Sequence, residues 1–302
     1  MNSTYDKLVK RSTTFSLFFA LFLIAIKSAT WWITGSFSLL VSLFDSTMDF
    51  LASGLNFILI RYALKPPDHD HCFGHGKAES LAALAQSAFI IGSVIFLLIN
   101  SVNLLIHPAT VNSPMVGIII SAVSAILTLM LVIYQRYVIK LTNSNAIKAD
   151  MLHYSADLLI NIAVIFALCL TWLGIDYADG VLALIIGCYI FLHAIKITIH
   201  ALQDLLDKAL PQADNQAIVE LALSLKEIHG VHEIKTRRSG PITFVQLHIE
   251  LDDLMPLVKA HAIADKLEKM IANKFAPAEV IVHQDPLSVI SKEKATFENL
   301  IN

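Results

Sequence analysis

The chain has 302 residues, of which 56% are hydrophobic and 16% charged, with a mean hydropathy of +0.65. Soluble domains carry about a quarter charged residues, so this composition excludes an ordinary soluble protein and points to the bilayer. A formal net charge of −3 gives no reason to expect nucleic acid as a partner, and Cys72, Cys169 and Cys188 lack the spacing of a disulfide framework.

A polar N-terminus leads straight into a full apolar span, so no cleaved signal is expected. A hydrocarbon core takes about 20 apolar residues per helix. Six stretches qualify, at about 13–32, 37–60, 80–106, 115–135, 151–173 and 178–200. The segments between them alternate in charge. One set carries Lys7, Lys10, Arg11, Arg61, Lys65, Lys77, Arg136, Lys140 and Lys148, whereas "ITGSF", "HPATVNSP" and "GIDYADG" have no Lys or Arg. This bias predicts an N-terminus, two charged loops and a C-terminus in the cytoplasm. Lys27 and Lys196 fall inside spans, and Lys27 either snorkels or faces the bundle interior.

Beyond Leu210 the charge density becomes that of a soluble domain. "QAIVELALSLKEIHG" has helical spacing and reads as a helix capped by Gly230. "VHEIKTRR" reads as a strand and "SGP" as a turn. "ITFVQLHIEL" alternates, with Val245, Leu247, Ile249 and Leu251 on one face. Residues 257–274 form an amphipathic helix pattern, and "AEVIVHQD" a last strand. The order αββαβ predicts a small α+β domain with helices on one sheet face, of the ferredoxin-like, metallochaperone kind. The expected division is a six-helix membrane domain over 1–208, a soluble domain over 209–290 and a loosely ordered tail over 291–302.

The second span holds "DSTMD", with Asp45 and Asp49, and the fifth holds "HYSAD", with His153 and Asp157. An Asp at the centre of a membrane helix costs roughly 3 kcal/mol on insertion scales, so each needs a partner or a purpose. Spacing of four residues puts both members of a pair on one helix face, and Asn161 extends the second stripe. Asp49 lies 13 residues from the start of its span and Asp157 lies 16 from the end of its own. At the rise of an α-helix both are roughly 20–24 Å below the same membrane surface. Three carboxylates and an imidazole suit a four-coordinate divalent ion, Zn²⁺, Cd²⁺, Mn²⁺ or Fe²⁺ rather than Cu⁺. Carboxylates crowded in low dielectric also hold protons more tightly, so metal and proton compete for one set of groups. That competition is the physical basis of an antiporter. A helix-packing polar network or a pure proton relay is the alternative reading of the same residues.

On these residues the chain resembles the cation diffusion facilitator family, in particular its bacterial zinc efflux members. The features that carry the likeness are "DSTMD", "HYSAD", six spans with both ends inside and the αββαβ domain, over about residues 8–288. The resemblance implies a homodimer in the bacterial inner membrane that exports divalent metal by alternating access in exchange for protons. It assigns Asp45, Asp49, His153 and Asp157 to the transport site. An Asp at the first of these positions goes with tolerance of Cd²⁺ beside Zn²⁺, and iron and manganese members exist. "IKLTNSNAIKAD" has no histidine, which favours the bacterial branch.

Two further clusters stand outside the spans. "PPDHDHCFGHGKAES" holds Asp68, His69, Asp70, His71, Cys72 and His75. The resemblance selects Asp68, His71 and His75 as a loop metal site; a solvated hydrophilic loop is the alternative. In the soluble domain His283 and Asp285 share a strand face, and His248 also points away from its apolar face. The resemblance makes His232, His248, His261, His283 and Asp285 a cytoplasmic site for two metal ions, bridged by Asp285, with surface histidines by chance as the alternative. It places Lys77 and Asp207 in an inter-subunit charge network. His107, His193, His200 and His229 have no partner at useful spacing.

Three functions compete: a proton-coupled Zn²⁺ exporter, a membrane metalloenzyme and a membrane-anchored metal sensor. No H-E-x-x-H or other hydrolytic motif occurs, which disfavours the enzyme. A sensor without transport leaves buried Asp45 and Asp157 unexplained.

Overall fold

The computed structural model describes residues 3–34, 37–106, 114–172 and 178–290. Six long helices come first: α1 (Ser3–Thr34), α2 (Phe37–Ala63), α3 (Lys77–Ile106), α4 (Pro114–Thr142), α5 (Asn145–Trp172) and α6 (Ala178–Leu205). Each runs past its hydropathy-defined span at the end that carries the basic residues. Hydropathy registers only the hydrocarbon-facing part, whereas backbone hydrogen bonding continues for as long as the next turn has something to pack on. At that end it does: Tyr5, Val9, Ile60, Leu64, Ala82, Val138, Ala146 and Ile147 form a buried cluster drawn from α1 to α5 and the residue after α2. "IKLTNSNAIKAD" is accordingly no loop. Only Asn143 and Ser144 separate α4 from α5, and Asn143 takes a left-handed φ of 53°.

Among the described residues α1, α3, α4, α5 and α6 are long and apolar enough to cross a membrane; α2, of similar length, falls outside that set. The helices are small inside and large outside. Ala20, Ala52, Ser53, Ala83, Ala149 and Ala201 are buried, while Phe18, Ile58, Phe96 and Met130 are exposed. In lipid the outer face needs no shielding, and small residues let helices approach closely. Lys27 faces the interior and donates to Ser46 on α2 at 2.6 Å. Glu79, in the first turn of α3, accepts the backbone N–H of Asn145 at the start of α5 and the hydroxyl of Tyr5 on α1. One buried carboxylate thus fixes the basic ends of three helices.

The chain forms two compact units that part at Leu202–Gln203. The second holds α7 (Gln212–Leu223), β1 (Gly230–Ser239), β2 (Ile242–Leu251), α8 (Leu257–Lys274) and β3 (Ala278–Pro286). The sheet order is β1-β2-β3, antiparallel then parallel. Val245, Leu247, Ile249, Leu251 and Val282 on one face meet Ile218, Ala222, Ile263, Leu267 and Ile271 from the two helices. The alternation read from β2 is therefore its packing pattern.

The expected helix ending at Gly230 is corrected by the structure. α7 stops at Leu223, and a turn follows in which Leu225 and Ile228 enter the core. Gly230 opens β1 opposite Glu250, and a Cβ there would lie 2.5 Å from the Glu250 carboxylate. The glycine leaves the space that this carboxylate occupies and does not cap a helix; a Cβ there would make the Glu250 side chain shift. β1 also carries a bulge between His232 and Lys235, with Glu233 at a left-handed φ of 47°.

Leu267, fully buried against the sheet, gives a direct test of this core. Leu267→Ala is expected to destabilise the second unit by about 2–5 kcal/mol, read by urea titration of tryptophan-independent far-UV circular dichroism of the purified unit 203–290.

Candidate metal sites

Among the described residues, three groups of metal-ligand type come together, each with its ligand atoms within 4.8 Å of one another.

The first joins α2 to α5. Asp49, His153 and Asp157 converge, with His153 Nε2 3.1 Å from Asp49 Oδ1 and 3.8 Å from Asp157 Oδ2. His153 Nε2 is buried and makes no hydrogen bond to either carboxylate. The side chain of Asp45 lies outside the described residues. One turn on, Asn161 Nδ2 donates to the backbone carbonyl of Asp157 at 2.7 Å. The neighbouring turn is held by Tyr154, fully buried, whose hydroxyl sits 3.0 Å from Ser53 of α2 and 3.3 Å from the Ser16 carbonyl of α1. One turn nearer the basic end, buried Asp150 accepts from Ser16 at 2.7 Å and from Gln135 at 2.8 Å. Sequence reading passed over Asp150, although its position three residues before His153 was visible.

The second group lies in the segment between α2 and α3. Asp68 Oδ1 accepts the backbone N–H of His71 at 2.7 Å and of Asp70 at 3.1 Å, closing a turn. Its two oxygens stand 3.2 Å from His71 Nδ1 and 3.3 Å from His75 Nε2. The backbone N–H of His71, and then its side chain, hold the Asp68 carboxyl below its usual value. A lowered value means that this carboxylate's support of the turn is complete above the ordinary Asp range and is lost only at more acid pH. His75 is buried, its ring 4.5 Å from that of Tyr62, and its Nδ1 has no partner. His69, Asp70 and Cys72 are exposed and outside the group.

The third group crosses the sheet. The register places His232, His248 and His283 in one row over the three strands, and Gly230, Glu250 and Asp285 in the next row on the same face. Asp285 Oδ2 lies 2.7 Å from His248 Nδ1 and 3.3 Å from His232 Nε2, and Asp285 Oδ1 lies 3.2 Å from His283 Nε2. One carboxylate thus touches three imidazoles. Glu250 adds an oxygen 3.3 Å from His232 Nδ1, in the space that Gly230 leaves. Its position two residues after His248 on an alternating strand could have revealed it. Glu233, turned by the bulge, lies 3.9 Å from His248, and hydrogen bonding from Lys235 lowers its carboxyl's pKa. His261 is on the exposed side of α8 and outside the converged set. The donors here are oxygen and nitrogen, which suits Zn²⁺ and similar divalent ions.

Lys77 is the first residue of α3. Asp207 takes a left-handed φ of 57° and accepts from Arg237 of β1 at 3.2 Å. Of the remaining histidines, His107 lies outside the described residues, and His193 packs against the Tyr189 ring at 4.4 Å.

Residues 13–206 match the model of the cation efflux transmembrane domain, and residues 210–287 match that of the cation efflux protein cytoplasmic domain. The chain belongs to the cation diffusion facilitator family. It is 47% identical over 298 residues to the cation-efflux pump FieF of Salmonella arizonae, covering 99% of each chain, and equally so to that of Salmonella agona. Among solved structures, the zinc form of CzrB is 28% identical and covers 27% of this chain and 94% of its own, at a TM-score of 0.26. As a cation diffusion facilitator the protein is a multi-pass membrane transporter of cations rather than an enzyme, and α7 to β3 form its cytoplasmic domain.

The sheet geometry yields a comparison between two substitutions. Asp285→Ala is expected to lower the zinc bound by the purified cytoplasmic domain at least tenfold more in affinity than His261→Ala does, as measured by isothermal calorimetry. Equal losses would move the site off the histidine row.

Proposed function

We propose that the protein exports Zn²⁺ from the cytoplasm in exchange for protons, by alternating access, as a homodimer in a bacterial inner membrane with both termini cytoplasmic. The observation that carries this reading is the convergence of Asp49, His153 and Asp157 from two helices of the membrane domain. Relatives named cation-efflux pumps, matched along 99% of the chain, support efflux as the direction.

In this reading Asp45, Asp49, His153 and Asp157 hold the transported ion. Their oxygen and nitrogen donors also admit Cd²⁺, with Fe²⁺ and Mn²⁺ as further cargo. A divalent cation offsets the carboxylate charge when the site faces the cytoplasm. When the site faces outward, protons take the cation's place and reduce the cost of resetting an acidic cluster inside the membrane. Metal and protons exclude each other because both need the same lone pairs. Asp68, His71 and His75 form a loop site that delivers or regulates. His232, His248, His261, His283 and Asp285 bind metal in the cytoplasmic domain, where it stabilises the dimer or reports cytoplasmic metal. Lys77 and Asp207 belong to a charge network between subunits.

Reconstitution tests the reading. Sealed vesicles of the native protein should take up Zn²⁺ when the opposing proton gradient is imposed, and Asp157→Ala should reduce that flux to the level of empty vesicles with helicity and dimer fraction unchanged. Zinc flux retained in Asp157→Ala would remove the quartet. A native protein that binds zinc in its cytoplasmic domain but moves none would instead be the membrane-anchored sensor.

A further inference from the structure

The basic end of the bundle carries a groove that neither metal chemistry nor helix packing uses. It encloses about 610 Å³ beside α1, between α2 and α4. Its walls are apolar and aromatic: Phe15 and Phe18 of α1 are exposed, and Tyr134 of α4 packs edge-on against Phe15 at 5.6 Å. Its rim is cationic, with Lys10 and Arg11 on α1 and Arg61 in the last turn of α2. Among the described residues none of these three cations pairs with a carboxylate. The Arg61 guanidinium instead lies over the Phe57 ring, 4.3 Å from its centroid. Elsewhere in the protein surface cations do find acids: Arg237 pairs with Asp207, Lys235 with Glu233 and Lys269 with Asp265.

We propose that this groove binds an anionic phospholipid, its phosphate held by Lys10, Arg11 and Arg61 and an acyl chain lying along Phe15 and Phe18. The inference follows from charge complementarity and depth. Three cations without acidic partners converge at the level where these helices pass from apolar to polar sequence, which is the level of the headgroups. Below them the groove is apolar: it offers a hydrocarbon chain a wall and water almost nothing to bond. A basic pocket between membrane helices recognises a lipid headgroup through the same charges that bias topology, and guanidinium groups bind phosphate in a bidentate fork. A bound lipid would bridge α1, α2 and α4, and so would tie the helix that carries Asp49 to its neighbours.

The test uses the full-length protein in nanodiscs of phosphatidylglycerol mixed with phosphatidylcholine, followed by native mass spectrometry of the released complex. The native protein should retain phosphatidylglycerol in preference to phosphatidylcholine. Arg11→Gln combined with Arg61→Gln should lower that preference at least about tenfold, since each interfacial charge is worth about fivefold in affinity. Arg11→Lys with Arg61→Lys should keep most of it. Arg136→Gln, which removes a cation at the same end of α4 but outside the groove, should change it by less than twofold. No preference in the native protein, an equal loss in Arg136→Gln, or a preference that survives the double Gln variant would overturn the proposal. So would a double Gln variant that alters the dimer fraction while keeping its lipid, because the groove would then be covered by a second copy of the chain.

Discussion

Ionised carboxylates are unstable in hydrocarbon, and much of this protein's membrane domain is arranged around that constraint. The apolar helices carry few acids, and those described are brought to partners. Asp49 and Asp157 meet His153. Asp150 takes hydrogen bonds from α1 and α4. Glu79 accepts from the start of α5 and from Tyr5. The difference between these acids is chemical. Asp150 and Glu79 are met by hydroxyl, amide and backbone donors, which satisfy a carboxylate where it stands. Asp49 and Asp157 face an imidazole nitrogen that makes no hydrogen bond to either. The first kind of partner fixes helices to one another; the second gathers ligand-type atoms from two helices within 4.8 Å.

The same logic operates at the sheet of the cytoplasmic domain, without a membrane. One face is committed to the core with α7 and α8. The other carries the row His232, His248 and His283 and the acids Glu250 and Asp285. Gly230 leaves the room in which the Glu250 carboxylate sits, since a Cβ there would displace it. A bulge then turns Glu233 toward His248. Backbone exceptions at Gly230 and Glu233 thus sit beside the candidate metal-ligand cluster.

What the sequence made legible follows from what each signal measures. Hydropathy located the six long helices, five of which among the described residues are long and apolar enough to cross a membrane, because the hydrocarbon sets their apolar length. It missed their continuations at the basic end, because those turns are held by tertiary contacts such as Val9, Ile60 and Ile147. Period two gave the faces of β2 and β3 and therefore the side on which His248, His283 and Asp285 lie. It could not show that β1 pairs in a register that aligns His232 with them, since register depends on the partner strand. The end of α7 was misplaced because Gly230 resembles a cap, while its actual role depends on a residue twenty positions later. Glu250 shares the face of His248 by period two, but an acid on a strand ordinarily reads as solvated, and His261 sits on a helix face whose relation to the sheet no linear pattern specifies.

The central claim is that the α2–α5 set holds an ion and gives up protons to do so. Its most direct measurement is calorimetric zinc binding, in buffers of different ionisation enthalpy, to a full-length variant whose other two sites are removed by Asp68→Ala and Asp285→Ala. Zinc should still bind, with protons released as it does, and adding Asp49→Asn should abolish both. Zinc binding lost with the loop and sheet sites, or binding that releases no protons, would contradict the claim.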